Sequence, residues 1–406
     1  MVSLYDIFYV IATRGEIKSF EIVKALNKRK DEYQNVFNKV LVLEKQGYIK
    51  KDRSIKIVNG EKSNKLFNII SFCINNSINY NLMLKKTMLK FIQKASKKEF
   101  FTIKDVKIHQ QTFKLYADLL LKYGFLIIIS KKPLKCKLLR HHFFIDLIGV
   151  FNKKLKFYEP KQHSFIKEIK KELMKYKRNL KMNYTVIRDI EKKGEVNFIY
   201  SSLNLEGNPL TLPETQKLIS KDIVPKEYKL LHINEVINYK KAVDLMIRNS
   251  GRGVRLDLNL ILEYHKIAMN HIKDSGMIRT QNVTIKANPE FKTCDWREIR
   301  SRLDELMIMY NDFKKKGIED VIGFASFFHN EFQRIHPFID GNSRISRLLM
   351  LNIIRSNNIP IMDLPLGYFD LYLDLTKRSM KRDDKSFKYL VEEIVLMSLK
   401  RINSLI

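Results

Sequence analysis

The chain has 406 residues, of which 45% are hydrophobic, and a formal net charge of +31. This length and composition predict about two or three folded domains and exclude a chain that is disordered throughout. No stretch approaches the roughly 18 consecutive apolar residues of a membrane span, and charged residues interrupt the N-terminus where a secretory signal would be apolar. Three widely spaced cysteines suggest neither a disulfide framework nor a cysteine-based zinc site. We therefore expect a cytoplasmic protein without a membrane partner.

Positive charge is concentrated in the first half of the chain. Residues 1–200 contain 43 Lys and Arg against 18 Asp and Glu, whereas residues 201–406 contain 32 against 26. This shift predicts a domain boundary near residue 190, and a strongly basic half favours an anionic partner such as nucleic acid. Residues 151–190 combine lysines with spaced apolar positions, which predicts a basic helical connector between the two halves.

Residues 1–65 predict a small module of three helices and a hairpin. An apolar helical pattern begins at Leu4, a second helix is predicted with its cap at Ser19, and a third covers about residues 31–46. The alternating segment 48–58 predicts a short β-hairpin. Three helices followed by a hairpin resemble the winged helix-turn-helix arrangement.

Residues 66–150 predict a second module with the same order of elements. Helices are predicted at residues 84–95 and 110–123, with a short element between them and two strands after them. The pattern Leu-x-Lys-x-Gly-aromatic-aliphatic begins at Leu43 in the first module and recurs from Leu120. This recurrence indicates a tandem repeat.

The resemblance to winged helices implies double-stranded DNA as a partner. The third helices, at about residues 31–46 and 109–123, are then the candidate elements that enter a DNA groove. Lys28, Arg29 and Lys30 precede the first of these helices and favour contacts with DNA phosphates there. Many winged helices make only protein contacts, so that alternative stays open.

A carboxylate is predicted at the end of a helix in the stretch 200–212. Ser202 and Glu206 are four residues apart, which places them on one face of the predicted helix, and Gly207 with Pro209 ends it. The helix dipole disfavours a carboxylate at this end unless a cation is near. We therefore expect a cationic partner for Glu206.

The most informative stretch is residues 336–347, which contain an imidazole, a carboxylate, a Gly-Asn turn and two arginines. Spaced apolar residues over 321–335 predict a helix that Pro337 ends, and a second helix is predicted from Ser343. The first amide groups of the second helix, together with the small Gly341, predict an anion-binding nest for a phosphate.

The charged residues of this stretch suit a nucleotide. Arg344 and Arg347 are three residues apart, project from one face of the predicted helix, and can each bind phosphate oxygens through two N–H groups. Asp340 supplies a hard oxygen ligand where Mg²⁺ would bridge nucleotide phosphates. His336 is the group in this stretch that can accept a proton near neutral pH.

The stretch resembles the signature of the Fic family, His-Pro-Phe-x-Asp/Glu-Gly-Asn-x-Arg-x-x-Arg, at every defining position. The resemblance implies a mainly helical domain that transfers AMP from ATP to a Ser, Thr or Tyr hydroxyl of a target protein or of the chain itself. The implied roles are general base for His336, Mg²⁺ ligand for Asp340, phosphate nest for Gly341, Asn342 and Ser343, and phosphate clamps for Arg344 and Arg347. Gly or Lys is more usual at the position of Ser343, which alters the edge of the nest.

Three further segments resemble parts of the same family. Ser202, Glu206 and Gly207 match its inhibitory motif, which implies that Glu206 pairs with Arg347 and withholds it from the terminal phosphate of ATP. Tyr372 resembles a residue that walls the adenine pocket. Residues 281–286 resemble a flap hairpin in which the target docks by strand addition on Val283, Thr284 and Ile285.

Together these features predict a mainly α protein, with an all-helical Fic domain and a small β-hairpin flap at residues 191–406, preceded by two α+β winged-helix modules. The predicted function is that of an autoinhibited protein adenylyltransferase that uses ATP and Mg²⁺. The alternatives are a Fic enzyme that removes AMP or transfers another nucleotide, and a DNA-binding transcription regulator whose Fic half senses nucleotides. The target protein stays open, and so does an oligomeric assembly.

Overall fold

Helices dominate the computed structural model, which describes residues 2–158, 163–225, 228–285, 288, 291–376 and 382–406. Among these residues the strands belong to two small antiparallel hairpins, in agreement with the predicted mainly α class. The chain divides into two compact units, residues 1–159 and 160–406. No helix in the described part of the chain is both long enough and apolar enough to cross a membrane.

The first unit alternates short helices with the two hairpins. Its elements are α1 (Leu4–Arg14), α2 (Ser19–Ala25), α3 (Tyr33–Lys45), β1 (Ile49–Lys51), β2 (Ile55–Ile57), α4 (Glu61–Asn75), α5 (Tyr80–Met83), α6 (Lys86–Ala95), α7 (Ile103–Val106), α8 (Gln110–Lys122), β3 (Leu126–Lys131), β4 (Leu134–Leu138) and α9 (His142–Gly149).

The two halves of this unit repeat one order of elements. In the first half, Ile17 forms an isolated β-bridge to Ile55 of β2. The order of elements is therefore α1, the bridging residue Ile17, α2, α3 and the β1–β2 hairpin. In the second half, Phe101 forms an isolated β-bridge to Cys136 of β4. The order is the same: α6, the bridging residue Phe101, α7, α8 and the β3–β4 hairpin. This is the order that a winged helix-turn-helix needs, although the winged-helix identity of the modules stays a prediction.

Local hydrogen bonds set where the first helices begin. The Ser3 hydroxyl accepts from the amide of Asp6 at 2.9 Å and the Asp6 carboxylate accepts from the amide of Ser3 at 2.7 Å, a reciprocal cap that starts α1. The cap predicted at Ser19 lies one residue earlier. The amide of Lys18 donates to Glu21 at 2.7 Å, and Ser19 is the first residue of α2.

The second unit is a bundle of helices. They are α10 (Ile166–Met182), α11 (Tyr184–Asn204), α12 (Leu212–Lys221), α13 (Leu230–Gly251), α14 (Leu258–Ala268), α15 (Ile299–Asp312), α16 (Ile318–Ile335), α17 (Asn342–Arg355), α18 (Phe369–Leu375) and α19 (Asp384–Ser404).

The helices α16 and α17 form the centre of the second unit. They pack on each other, and α19, α13, α14 and α11 pack around them. All residues of α17 from Asn342 to Ile354 are buried, including two arginines and two asparagines. The loop between α16 and α17 is therefore held at both ends by the core of the unit.

The stretch predicted as a connector, residues 151–190, is divided differently in the structure. The division of the chain into two units falls between residues 159 and 160. Helix α10 packs against α19 inside the second unit, where Asn179 and Asn403 share a hydrogen bond of 3.2 Å. The boundary predicted near residue 190 falls inside the continuous helix α11. The shift in charge did not locate the boundary, because the lysines of α10 lie on its solvent face while its apolar face is buried.

Candidate active site

The loop that follows α16 carries the imidazole of the central motif. His336 caps α16 with φ +50° and ψ +57°, and its amide donates to Phe332 at 3.0 Å. Its Nδ1 lies 3.2 Å from the carbonyl oxygen of Gln333. A carbonyl oxygen can only accept, so this contact favours a proton on Nδ1 and leaves Nε2 as the unprotonated nitrogen. A half-buried imidazole in this tautomer can act as a base.

A buried arginine tethers the backbone of this loop. Arg279 is 3% exposed, its Nε donates to the carbonyl of His336 at 2.7 Å, and its backbone amide donates to the carbonyl of Pro337 at 2.9 Å. Its Nη1 and Nη2 donate to the carbonyls of Gln281 and Cys294 at 2.7 and 2.6 Å. Arg279 thus fixes the backbone under the imidazole. This role is not evident from the sequence, because a lone arginine before an extended segment carries no local pattern.

A buried histidine supports the other side of the loop. His265 on α14 accepts at Nδ1 from the amide of Gly276 at 2.8 Å, and its Nε2 lies 3.0 Å from the carbonyl of Asp340. Its ring stacks on Phe338 with 3.6 Å between ring centres. Burial lowers the pKa of His265 to about 4, which keeps the imidazole neutral with Nε2 as the donor.

The turn into α17 has the geometry of an anion-binding helix start. Gly341 has φ +84°, and a Cβ at this position would lie 2.8 Å from the Sδ of Met269, so both backbone and space require glycine. The side chain of Asn342 accepts from the amide of Phe338 at 2.9 Å and donates to its carbonyl at 2.8 Å. The carboxamide thus closes the loop, and its role is to hold the turn. Ser343, in the first turn of α17, is buried.

Asp340 is the residue of this turn that suits a divalent cation. Its side chain is 59% exposed and accepts from Arg344 Nη2 at 2.9 Å and from the amide of Gly341 at 2.6 Å. No group of three or more carboxylate, imidazole or thiol side chains that could hold a metal occurs among the residues described. A single hard carboxylate fits Mg²⁺ only where substrate phosphates supply further oxygens.

The two arginines of α17 engage separate carboxylates. Arg344 binds Asp340 through Nη2 and reaches Glu235 of α13 through Nη1 at 3.4 Å. Arg347 donates from Nη2 to Glu206 at 2.9 Å. Both arginines are nearly inaccessible to solvent. The pairing of Glu206 with Arg347 that the family resemblance implied is present in the structure.

Arg347 is held by more than this carboxylate. Its Nε and Nη2 donate to the hydroxyl and the carbonyl of Ser202, each at 2.8 Å. Burial acts to lower the pKa of Arg347, but Tyr372 and Glu206 outweigh burial and raise that pKa overall. The Ser202 hydroxyl lies 2.9 Å from the hydroxyl of Tyr239, which donates to the carbonyl of Arg344 at 3.0 Å.

The segment around Ser202 and Glu206 departs from the prediction in one detail. The four-residue spacing predicts Ser202 and Glu206 on one helical face, but α11 ends at Asn204 and Glu206 lies in the turn beyond it. The amide of Gly207, with φ +91°, donates to Asn204 at 3.0 Å, so the chain reverses before a further helical turn can form. Glu206 therefore reaches Arg347 from the turn.

Tyr372 of α18 lies beneath Arg347. Its side chain is 2% exposed, and its hydroxyl is 2.9 Å from Nε2 of His329 and 3.3 Å from Nη1 of Arg347. Burial lowers the pKa of His329 to about 3, so this imidazole is neutral. These contacts make Tyr372 a support for the arginine; its role as a wall of an adenine pocket stays a prediction.

The hairpin predicted at the flap is absent from the described residues. Residues 281–285, which include Val283, Thr284 and Ile285, form no strand, and Lys286 lies outside the described part. The hydroxyl of Thr293 donates to the carbonyl of Val283 at 3.3 Å. Alternating sequence therefore does not produce a strand over residues 281–285, and the flap hairpin stays a prediction.

Comparisons with known proteins agree with this architecture. The Fic/DOC family model matches residues 255–354. Protein adenylyltransferase Fic of Drosophila persimilis is 23% identical over 205 residues, and that of Drosophila grimshawi is 24% identical over 203. Each alignment covers 50% of this chain and 40% or 41% of the relative, so the chain spans about 40% of the length of these curated relatives.

Two solved structures share the fold. A Fic domain-containing signalling protein from Bacteroides thetaiotaomicron superposes with a TM-score of 0.54 at 20% identity, covering 58% of this chain and 97% of that one. Fic-1 from C. elegans superposes with a TM-score of 0.51 at 22% identity, covering 58% and 72%. Residues 255–354 therefore match the Fic/DOC family model, and the second unit has the mainly helical Fic fold.

Proposed function

We propose that the chain is an autoinhibited protein adenylyltransferase that transfers AMP from ATP to a hydroxyl of a target protein or of itself. The observation that carries the proposal is the loop of residues 336–341. It joins the proposed base, His336, whose Nδ1 contacts a backbone carbonyl, to the N-terminus of α17, where Gly341 and Arg344 suit a phosphate. The relatives named protein adenylyltransferase support the same reaction.

In the proposed reaction, His336 Nε2 takes the proton of the target hydroxyl as its oxygen bonds to the α-phosphorus of ATP. The bond from that phosphorus to the oxygen bridging the β-phosphorus breaks, and pyrophosphate leaves. The amides at the start of α17 and the guanidinium of Arg344 stabilise the charge on the phosphate oxygens. Mg²⁺ held by Asp340 and phosphate oxygens would neutralise part of that charge.

Glu206 supplies the proposed inhibition by occupying Arg347. An arginine that donates to a carboxylate cannot also bind the terminal phosphate, so ATP would bind with its α-phosphorus poorly aligned for attack. The two side chains are 19% and 3% exposed, and solvent ions screen such a pair less than a surface pair. Release of Glu206 from Arg347 would therefore switch the enzyme on.

The test is transfer of label from α-³²P-ATP and Mg²⁺ onto protein. We expect little labelling by the natural chain and at least about tenfold more by Glu206→Gly, because removing the carboxylate frees Arg347 for phosphate. Glu206→Gly combined with His336→Ala should lose the label because the base is gone. Glu263→Gln, an exposed carboxylate on α14, is the control and should behave as the natural chain does. Equal labelling by the natural chain and Glu206→Gly would contradict the inhibition.

We also propose that the first unit binds double-stranded DNA. The repeated order of elements favours this second function, and the two candidate helices differ in the side chains they expose. In the first module, α3 exposes side-chain amides such as those of Gln34 and Asn38, and the exposed Arg29 and Lys30 precede it in sequence. In the second, α8 exposes Leu115, which is 57% accessible. Amides and arginines suit base edges and phosphates, so the first module is the better candidate.

DNA binding is tested by fluorescence anisotropy with a mixed-sequence duplex at several salt concentrations. We expect affinity to fall steeply with salt, and Arg29→Gln with Lys30→Gln to reduce the slope of log K against log salt by about 0.9 per lost phosphate contact. The matched control, Lys85→Gln with Lys86→Gln, alters an exposed basic pair in the second module and should leave the slope unchanged. Absence of binding even at low salt would remove this function.

A further inference from the structure

Glu235 on α13 joins the inhibitory turn to the motif helix. Its Oε2 accepts from the side-chain amide of Asn208 at 2.8 Å, and its Oε1 accepts from Arg344 Nη1 at 3.4 Å. Asn208 is buried, lies two residues after Glu206, and also donates to the carbonyl of His232 at 2.9 Å. The carboxylate of Glu235 thus connects the segment that holds Arg347 with Arg344, the other arginine of the site.

The donors of Arg344 are unequally satisfied. Nη1 reaches Glu235 and Nη2 binds Asp340, whereas Nε is buried and has no hydrogen-bond partner among the described residues. Nε and Nη2 lie on one edge of the guanidinium and form the fork that binds two oxygens of a phosphate. A buried donor without a partner is costly, and a phosphate oxygen would relieve that cost.

We propose that Glu235 is a positioning residue that anchors Arg344 through Nη1 and so presents the Nε and Nη2 edge to the phosphates of the nucleotide. The proposal rests on the proposed function, because it requires the Asp340 carboxylate to release Arg344 and to bind a cation instead when substrate binds. Glu235 then becomes the carboxylate that keeps the guanidinium in place. Through Asn208, the same anchor is connected to the turn that carries Glu206.

The charges around Glu235 are consistent with this role. Oε1 of Glu235 lies 3.8 Å from Nε2 of His271, whose side chain is 7% exposed. Burial lowers the pKa of His271, against the influence of Glu235, so the imidazole is neutral near pH 7. Of the cations facing Glu235, Arg344 is then the permanently charged one, and its hydrogen bond to the carboxylate is charge-assisted.

The test is nucleotide binding and kinetics in the Glu206→Gly background. We expect Glu235→Gln to raise the calorimetric Kd for ATP with Mg²⁺, and the KM for ATP in the labelling assay, about tenfold, because the guanidinium loses its charged anchor. The kcat should change less than about twofold, since the base and the loop backbone are untouched. A loss of fold would instead lower kcat and the unfolding temperature.

Asp244→Asn is the matched control, because Asp244 lies on the same helix and pairs with Lys240 at 2.5 Å, away from the motif. Its Kd should equal that of the Glu206→Gly parent. If Glu235→Gln folds poorly, Glu235→Asp retains the charge and should bind ATP with a Kd between those of the parent and Glu235→Gln. If the parent binds ATP and Glu235→Gln binds it equally well, the role of Glu235 would be overturned but the proposed function would not. A parent that binds no ATP would overturn the proposed function, and with it the role of Glu235.

Discussion

At the scale of single residues, the motif is held in place by buried side chains from other elements. Arg279 donates to three backbone carbonyls around the loop, and His265 supports the carbonyl of Asp340. These residues contact the backbone of the motif, so they can fix the position of His336 and Asp340 without meeting substrate. The chemistry of the site therefore depends on residues far from the motif in sequence.

Gly341→Ala should destabilise the protein and weaken phosphate binding. The positive φ alone costs an L-residue about 1–2 kcal/mol, and the new Cβ would also collide with Met269. Gly253→Ala is the matched control, because Gly253 also has positive φ, at +71°, but has no atom within 4 Å of a new Cβ. Denaturant unfolding should show a larger loss for Gly341→Ala than for Gly253→Ala. An equal loss would mean that the space around Gly341 does not matter.

The stability of the second unit should decrease as pH falls below about 6. The pKa of an unfolded histidine is near 6.5, whereas burial lowers the pKa of folded His265 to about 4. Between these values the unfolded chain binds more protons, so the free energy of unfolding falls as pH falls, by at most about 1.4 kcal/mol per pH unit for this group. His265→Gln should reduce the slope of unfolding temperature against pH by the contribution of this one titrating group. An unchanged slope would show that His265 is not held neutral.

At the scale of elements, the sequence predicted most helices but not how they combine. The spacing of apolar residues located α16 and the start of α17, and the tandem pattern located α3 and α8 with their hairpins. The contact between Glu206 and Arg347 followed from a family resemblance at Ser202 and Glu206. By contrast, Glu235 and Tyr239 are one turn apart on α13 and both support Arg344, yet nothing in their local sequence distinguishes them from other residues of that helix. Their roles come from packing between helices distant in sequence.

The packing of α10 predicts where the second unit begins. Ile169, Leu173 and Tyr176 of α10 are buried, and the hydroxyl of Tyr176 donates to Glu191 of α11 at 2.5 Å. We expect a fragment of residues 163–406 to fold and, with Glu206→Gly, to keep its labelling activity. A fragment of residues 191–406 lacks α10 and part of α11, and should unfold or aggregate because it exposes that apolar surface. Cooperative unfolding of the shorter fragment, measured by circular dichroism, would contradict this boundary.

At the scale of the whole molecule, a basic unit with a repeated helix and hairpin order precedes a unit with the Fic fold. In the second unit, both motif arginines are engaged by carboxylates, Arg344 by Asp340 and Glu235 and Arg347 by Glu206. We interpret this as a resting state in which the two guanidinium groups are paired with carboxylates within the protein, while Arg344 Nε has no partner among the described residues. Under the proposed function, nucleotide would replace these internal partners, and the activity would depend on how easily each carboxylate is displaced.

The most direct test of adenylyl transfer is mass spectrometry of protein incubated with ATP and Mg²⁺. We predict that the Glu206→Gly chain places AMP, as a phosphate ester, on a Ser, Thr or Tyr of itself or of an added protein mixture. Adding His336→Ala to that variant should abolish the product while ATP still binds. If the Glu206→Gly chain binds ATP in calorimetry but no AMP-modified residue forms, then the second unit is not an adenylyltransferase with ATP as its donor.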